Sequence, residues 1–325
     1  MTTRDAVLAA LRAAAGGGVS GEALARELGV SRVAVGKHVS ALREAGYEIA
    51  AETGVGYRLV SAPDAPLPAE IEPLLVDAAW MHLTGGGETG STNDDARALA
   101  RSGAPEGTVV LASRQTEGRG RLGRTWLSPE GGAYLSIVLR PKVAPSDVAS
   151  LALAVGLGIA RGLSEHIGVG TMLKWPNDVQ LSGRKLAGIL LEMAAETDRV
   201  NWVVVGIGIN VRRTEDMPAA GVACLGDVAP GLRIAPAVAA VLEGVAGAYA
   251  QWVAEGFGSL RDEYQRRSSL IGRDVVVRDM DGTARVSGSV FGIDDEGRLL
   301  VAGLSGVEAV TAGEVTLREP GMQPQ

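Results

Sequence analysis

Apolar residues recur at helical spacing near the start of the chain and at strand spacing near its end. Longer apolar runs lie between. Residues 3–15 (TRDAVLAALRAAA) put Val7, Leu8 and Leu11 on one helical face and stop at Gly16–Gly18. Ser20 is placed to cap a second helix (GEALAREL), which Gly29 ends. Ser31 is placed to cap a third (RVAVGKHVSALREA), which Gly46 ends. In the third helix Val35, Val39 and Leu42 form the apolar stripe, and Arg32, Val33, Gly36, Lys37, Ser40 and Arg43 lie elsewhere around it. The short turn Gly29-Val30-Ser31 makes the last two helices a helix-turn-helix. The β-prone pieces Tyr47–Ala51 and Tyr57–Val60, around a turn at Thr53–Gly56, read as a wing.

Three prolines in residues 62–69 (APDAPLPA) mark a linker. Beyond it the pattern predicts a helix over Ile71–Leu83 and a helical run over Ala96–Arg101. Strands are expected at Thr108–Ser113 and Ala133–Leu139, then a long helix at Val148–Gly168. Gly156, Gly158 and Gly162 within that helix suggest close packing against a sheet. Strands follow at Thr171–Lys174, Val179–Leu181, Arg184–Glu192 and Trp202–Val211, and helices at Pro236–Glu255 and Gly258–Arg267. From Leu270 short β-prone runs take over, at Asp274–Arg278, Ala284–Ile293, Leu299–Ala302 and Val307–Val310. Turns such as Asp281-Gly282 and Glu296-Gly297 separate them. The expected division is residues 1–62, a linker at 63–69, an α/β domain at 70–268, a small β-barrel at 269–318 and a disordered tail at 319–325.

Composition narrows the functional classes. The 325 residues are 46% hydrophobic and 21% charged, which supports a sizeable core and excludes wholesale disorder. One cysteine, Cys224, excludes a disulfide framework. The histidines His38, His82 and His166 are scattered, whereas metal ligands cluster, so no zinc site is expected. No signal-peptide core or run of about 18 apolar residues is evident, which predicts a cytoplasmic protein. Residues 1–62 hold seven Lys and Arg against six Asp and Glu, leaving 24 against 32 in the remainder of a chain of net charge −7. Charge alone therefore does not announce a DNA-binding segment.

The densest chemistry lies in Gln115–Trp126 (QTEGRGRLGRTW), where Gly118, Gly120 and Gly123 alternate with Arg119, Arg121 and Arg124. Glycine permits close backbone approach, and arginine offers a planar fork to carboxylate and phosphate oxygens. A loop that closes over a small anion is one reading. A solvated basic loop, or an arginine–glycine segment touching nucleic acid loosely, is the other. The spelling Gly118-x-Gly120-x-x-Gly123 matches the dinucleotide fingerprint, but Pro129 and Gly131-Gly132 follow where that fingerprint needs a helix. Upstream, Ser91-x-x-Asp94 and Thr92-x-x-Asp95 both spell capping boxes. Capping explains one hydroxyl and leaves Ser91, Thr92 and Asn93 in a row unexplained.

Four stretches coincide in order: Ser91-Thr92-Asn93, GRGRLGRTW at Gly118–Trp126, KWPND at Lys174–Asp178, and RKLAGILLE at Arg184–Glu192. With GIGINV at Gly206–Val211, the chain resembles the biotin–protein ligases along almost its whole length. GEALARELGVSRVAVGKHVSALREAGYEI, followed by Val55-Gly56-Tyr57-Arg58-Leu59, resembles the DNA-binding domain of the bifunctional members, which also repress the biotin operon. The resemblance implies an α+β multidomain protein. It would have a winged helix-turn-helix, a central catalytic domain with a mixed sheet like that of class II aminoacyl-tRNA synthetases, and an SH3-like barrel. It also implies that biotin and Mg-ATP give biotinyl-5′-AMP, and that a lysine of the biotin carboxyl carrier protein, a subunit of acetyl-CoA carboxylase, accepts the biotin.

Carried over by position, Ser91, Thr92, Asn93, Gln115 and Gly118 belong to the biotin site. Arg119, Gly120, Arg121 and Lys185 would meet the biotin carboxylate and α-phosphate, with Lys185, Arg119 and Arg121 catalytic. Arg124, Trp126, Lys174, Asn177 and Asn210 fall to the nucleotide, Asp178 to Mg²⁺, and Trp126 and Trp175 to pocket walls. Arg32, Lys37, His38 and Arg43 would face operator DNA, with an adenylate-bound homodimer as the binding form. One departure stands out. Met217–Gly231 contains no aromatic residue, where some members stack a tryptophan on adenine. Three alternatives remain open: a lipoate ligase, a biotin sensor that no longer ligates, and a ligase that no longer represses.

Overall fold

The computed structural model describes residues 2–76, 80, 82–218, 220–279, 282–304 and 306–317. They form two compact units, Met1–Asp64 and Ala65–Gln325. The turn expected at Asp281-Gly282 and the tail after Arg318 lie wholly or partly outside the described residues.

The first unit is built from α1 (Thr3–Ala13), α2 (Gly21–Leu28), α3 (Arg32–Glu44), β1 (Glu48–Glu52) and β2 (Gly56–Ser61). Ser20 Oγ accepts from the Ala23 amide at 3.0 Å, and Ser31 Oγ accepts from the Ala34 amide at 3.1 Å. Each satisfies a first-turn donor that would otherwise lack a partner. Gly29 ends α2 at φ 65°, in the left-handed region. Val7, Leu8, Leu11, Leu24, Val35, Val39 and Leu42 bury together. β1 and β2 pair antiparallel as the wing. The Arg43 guanidinium donates twice to the Ile49 carbonyl, at 3.0 and 2.6 Å, and so ties α3 to the wing.

The second unit opens with α4 (Pro68–Ile71) and a 3₁₀ turn at Glu72–Leu74. The helix expected over Ile71–Leu83 is not seen among the described residues of that span, and residues 77–79 and 81 lie outside them. Pro73 has no N–H to donate, the chain tightens into the 3₁₀ turn there and turns extended at Leu75, and it is a strand by His82. There follow β3 (His82–Gly85), β4 (Glu88–Thr89), α5 (Thr92–Arg101), β5 (Thr108–Ala112), β6 (Arg114–Gln115) and β7 (Gly132–Leu139). Next come α6 (Val148–Gly162), β8 (Met172–Lys174), β9 (Asp178–Leu181), β10 (Arg184–Ala195), β11 (Val200–Asn210), α7 (Ile234–Glu255) and α8 (Gly258–Arg267). The main sheet runs β3-β5-β7-β11-β10-β9-β8. It is mixed: β3–β5 is parallel, and the other neighbours pair antiparallel.

Alternation along the central strands sends side chains to opposite faces. Val109, Leu111, Ile137, Leu139, Val203 and Val205 join the large core of α6 and α7. Val110, Val138 and Val204 turn the other way, with Ala96 and Ala100 of α5. Both α6 with its flanking turns (Pro145–Ile167) and α7 are apolar and long enough to cross a membrane by composition, yet 72% and 56% of their most apolar windows is buried inside the protein. They meet through glycine. A Cβ on Gly162 would lie 1.9 Å from the Ala240 carbonyl oxygen, and one on Gly244 would lie 2.1 Å from that of Gly158.

The unit closes with an antiparallel sheet of β12 (Asp274–Arg278), β13 (Ala284–Ile293), β14 (Leu299–Gly303), β15 (Gly306–Val310) and β16 (Glu314–Leu317), ordered β15-β14-β13-β12-β16. Four of these strands match the sequence pattern. β16 is only four residues long and was not expected.

The helix contact makes a signed prediction. Gly162→Ala should destabilise the protein by about 1–3 kcal/mol through overpacking. Gly247→Ala, on α7 with open space around it, should stabilise it by up to about 1 kcal/mol through helix propensity. Thermal unfolding midpoints of the two variants should therefore move in opposite directions.

Candidate functional site

A cavity of about 200 Å³ opens above the middle of the main sheet. Its floor consists of glycine backbone. Gly188 of β10 lies opposite Gly208 of β11, with Gly206 two residues away. A Cβ at Gly206 would sit 2.1 Å from Asn93 Oδ1, and one at Gly208 would sit 2.5 Å from Trp126 Nε1. One at Gly188 would press on the Trp126 ring at 2.9 Å. The three glycines therefore admit α5's first turn and the Trp126 indole where strand side chains would stand.

One end of the cavity is polar and neutral. Ser91, Thr92 and Asn93 are buried there at the start of α5. The Thr92 amide and hydroxyl donate to Gln115 Oε1 at 2.9 and 3.1 Å. Ser136 Oγ, fully buried on β7, lies 2.8 Å from Thr92 Oγ1 and 2.6 Å from Asn93 Oδ1. Asn93 Nδ2 donates to Glu192 Oε1 at 2.9 Å, and Gln115 Nε2 donates to Ser128 Oγ at 2.9 Å. The capping explanation fails for Ser91, whose side chain makes no cap bond. Thr89 holds Asp95 instead, its hydroxyl donating to Oδ2 at 2.6 Å.

The other end is rich in cations. Lys185 Nζ stands 2.7 Å from Asp178 Oδ1 and 5.0 Å from the centroid of the Trp126 ring, within cation–π range. Arg121 has one hydrogen bond among the described residues, to Asn177 Oδ1 at 3.3 Å. Burial pulls its pKa below that of a free arginine, against the pull of Asp178. Lys174 faces Asp178 across the β8–β9 hairpin. Arg124 forms an ion pair with Glu314 of β16, and that bond holds the Glu314 carboxyl below the usual range. Arg121, Arg124, Lys174 and Lys185 thus line the cavity with Asp178 and Glu314. Burial makes an unmatched guanidinium costly, so the end favours an anion.

The structure brings most of the expected residues to one cavity. Ser91, Thr92, Asn93, Gln115, Arg119, Gly120, Arg121, Arg124, Trp126, Lys174, Trp175, Asn177, Asp178 and Lys185 all line it. Gly118 and Asn210 stand outside that lining. Gly118 packs under the Trp126 carbonyl, where a Cβ would approach to 2.4 Å. Asn210 Nδ2 reaches the Lys185 carbonyl at 3.5 Å. Trp175 is both wall and core, donating its Nε1–H to the Gly297 carbonyl at 3.0 Å. Met217–Gly231 comes beside the site through backbone: the Lys185 amide donates to Gly221, and the Ala223 amide donates to Lys185, both at 2.9 Å.

Ser136, the three floor glycines and Gly313–Val315 were not singled out from the sequence as site residues. No cluster of three or more His, Cys, Asp or Glu suited to a metal occurs among the described residues. In the first unit Arg32 and Lys37 are exposed and His38 is half-buried, while Arg43 is engaged with Ile49.

Comparison with known proteins agrees with this geometry. Residues 88–210 match the biotin/lipoate A/B protein ligase family, residues 3–58 an HTH domain, and residues 270–318 the biotin protein ligase C-terminal domain. The bifunctional ligase/repressor BirA of Bacillus subtilis (strain 168) is 36% identical over 306 residues, covering 92% of this chain and 94% of the relative. Its namesake in Escherichia coli (strain K12) is 32% identical over 92% of each chain. The biotin protein ligase of Aquifex aeolicus in complex with biotin and ATP superposes with a TM-score of 0.63 at 28% identity. That match covers 73% of this chain and 98% of the other.

The glycine floor is testable. Gly206→Ala should cost about 1–3 kcal/mol, because buried Asn93 must give up a hydrogen bond. Gly87→Ala, with open space around it, should leave the urea midpoint near that of the parent. Equal midpoints for the two variants would show that the floor tolerates side chains.

Proposed function

The chain belongs to the biotin protein ligases, and on that premise we propose that this cleft activates biotin with ATP and passes it to a lysine of a biotin carboxyl carrier protein. The observation that carries the proposal is the polarity of the cleft. A neutral hydrogen-bonding pocket lies at one end and a group of cations at the other, joined by a glycine floor. Biotin has the matching character, with a neutral ureido ring at one end and a carboxylate at the other. ATP then brings its α-phosphate to the carboxylate end.

A carboxylate acylates poorly because oxide is a poor leaving group. In the first step a biotin carboxylate oxygen attacks the α-phosphorus, and pyrophosphate leaves. In the second step an acceptor lysine amine attacks the acyl carbon, an amide forms, and AMP leaves. The obstacle in the first step is the meeting of two anions. Arg121, Lys185 and Lys174 supply fixed positive charge where that meeting occurs, which is electrostatic catalysis by preorganised groups. Magnesium arrives as part of the Mg-ATP substrate. Such a metal takes one or two protein carboxylates alongside phosphate oxygens, and Asp178, which Lys185 meets at Oδ1, is the carboxylate in the cleft that would hold it. Ser91, Thr92, Asn93 and Gln115 take the ureido ring, and the Trp126 indole, lying on Gly188 and Gly208, walls the chain between the two ends.

The N-terminal unit adds operator binding, with Arg32 and Lys37 on the exposed face of α3. Repression then follows from a homodimer favoured by the adenylate, since a ligand shifts assembly by its differential affinity for the dimer. A second reading, a ligase whose N-terminal unit no longer represses, draws support from one observation. Arg43 is committed to Ile49, which leaves α3 lightly charged. A cytoplasmic location suits either reading, because ATP and the carrier protein are found there.

Two measurements test these statements. Pyrophosphate release from ATP should require biotin and fall roughly tenfold to a hundredfold in Lys185→Ala, the worth of one charge-assisted hydrogen bond of ~1.5–3 kcal/mol. Release supported by lipoate and not by biotin would reassign the substrate. Biotin with ATP should also raise solution mass to that of a dimer and tighten operator binding, with a steep salt slope. Unchanged mass and affinity would leave a ligase without repression.

A further inference from the structure

The two arginines that flank Gly120 are not equivalent. Arg119 donates from both terminal nitrogens to the two oxygens of Asp94, at 2.7 Å each, in a fork-to-fork pairing. Its Nη2 also lies 3.5 Å from Glu192 Oε1. Arg97 closes a ring on the same two carboxylates, bonding Asp94 and reaching Glu192 Oε2 at 2.9 Å. Two cations and two carboxylates balance, so no surplus charge remains there for a substrate anion. Arg119 in turn holds the Asp94 carboxyl below its ordinary range, which keeps it ionised. Arg121 differs in each respect: it is desolvated, and it is met by the amide oxygen of Asn177.

The placement of this ring gives it a role. The loop is pinned at its base, where the Trp126 amide donates to the Gly118 carbonyl at 2.9 Å and the Gly120 amide to the Arg124 carbonyl at 2.7 Å. Between those bonds Arg121–Gly123 forms the tip, with Leu122 in the left-handed region at φ 58°. Asp94 follows Thr92 and Asn93 on the first turn of α5, and Asn93 shares Glu192 with the ring. The polar pocket and the base of the loop are therefore fastened to the same turn of helix and the same carboxylate.

We propose that Arg119 is a latch and not a ligand of the biotin carboxylate, and that Asp94 and Glu192 are positioning residues which act through it to hold Arg121 over the cleft. The proposal rests on the ligase reading above. Glu192 joins the ring to Asn93 of the polar pocket, so a biotin held in that pocket meets an Arg121 already fixed over the cleft.

A double-mutant cycle on the full chain tests this, with Asp94→Ala, Arg119→Ala and the pair assayed for biotin-dependent pyrophosphate release. Each single change should raise KM for biotin about fivefold, the worth of a partly exposed ion pair, with kcat falling less. The double variant should be no worse than either single one, and Asp94→Glu should recover most of the loss. Trypsin should nick the unliganded loop after Arg121 and Arg124 faster in all three alanine variants than in the parent. Added salt should raise KM for biotin more steeply in the parent than in the double variant, which keeps only the attraction of the cationic end for the carboxylate.

Two results overturn the proposal. Arg119→Ala falling about 100-fold below Asp94→Ala, with the double variant following it, would return Arg119 to the substrate. Unchanged KM and trypsin rate in Asp94→Ala would make the ring a surface ion network without function. If the parent releases no pyrophosphate with biotin, the ligase reading fails, and the trypsin comparison still decides whether the latch exists.

Discussion

A residue in the middle of a sheet normally fills the space above its strand with its own side chain. At Gly188, Gly206 and Gly208 that space is left to others, and the remaining features of the cleft depend on it. Asn93 and the Trp126 indole occupy positions within van der Waals range of glycine Cα atoms, where any Cβ would collide. The sheet can be open at its centre because its packing comes from elsewhere. α6 and α7 press together over glycines against one face, and α5 covers the other.

On that floor electrostatics separates the two ends. The neutral end is fully hydrogen-bonded within the protein through Thr92, Asn93, Gln115 and Ser136, so its donors and acceptors are oriented before any ligand arrives. Preorganisation of this kind lowers the ordering cost of binding. The cationic end is assembled from distant pieces: the loop supplies Arg121 and Arg124, the β8–β9 hairpin Lys174 and Asp178, β10 Lys185, and β16 Glu314. Four cations there, Arg121, Arg124, Lys174 and Lys185, line the cavity with two carboxylates, Asp178 and Glu314, whereas Arg119 is matched in its ring. The contrast between matched and undermatched charge marks where an incoming anion gains most.

Much of this was legible in the sequence because it is local. Helix caps at Ser20 and Ser31, the glycine stops and the alternating strands follow from nearest neighbours. The cleft-lining residues from Ser91 to Lys185 were named through motif resemblance, which carries positions and no geometry. One local signal was misread, and one offered as a plain alternative failed. Pro73 sits within a run that otherwise looks helical, and with no N–H to donate it falls in a 3₁₀ turn that gives way to extended chain at Leu75, short of the helix suggested over Ile71–Leu83. Ser91 spells a cap and makes none, because the first turn of α5 is held through Thr92 and Gln115 instead. What the sequence could not reveal is long-range. The partnership of Arg119 with Asp94 and Glu192, the insertion of Ser136 between Thr92 and Asn93, and the reach of β16 to Arg124 exist only once distant strands are neighbours.

The contribution of Gly313–Val315 to the cavity wall has a consequence for how the protein comes into being. A ribosome delivers Ser91 through Lys185 long before it delivers Glu314. Throughout that interval the nascent chain carries most of a binding cleft, including Arg124 without its carboxylate partner. The cleft wall is completed only by a strand made well after Lys185, so a chain lacking Gly313–Val315 has an open wall and is not a smaller working version.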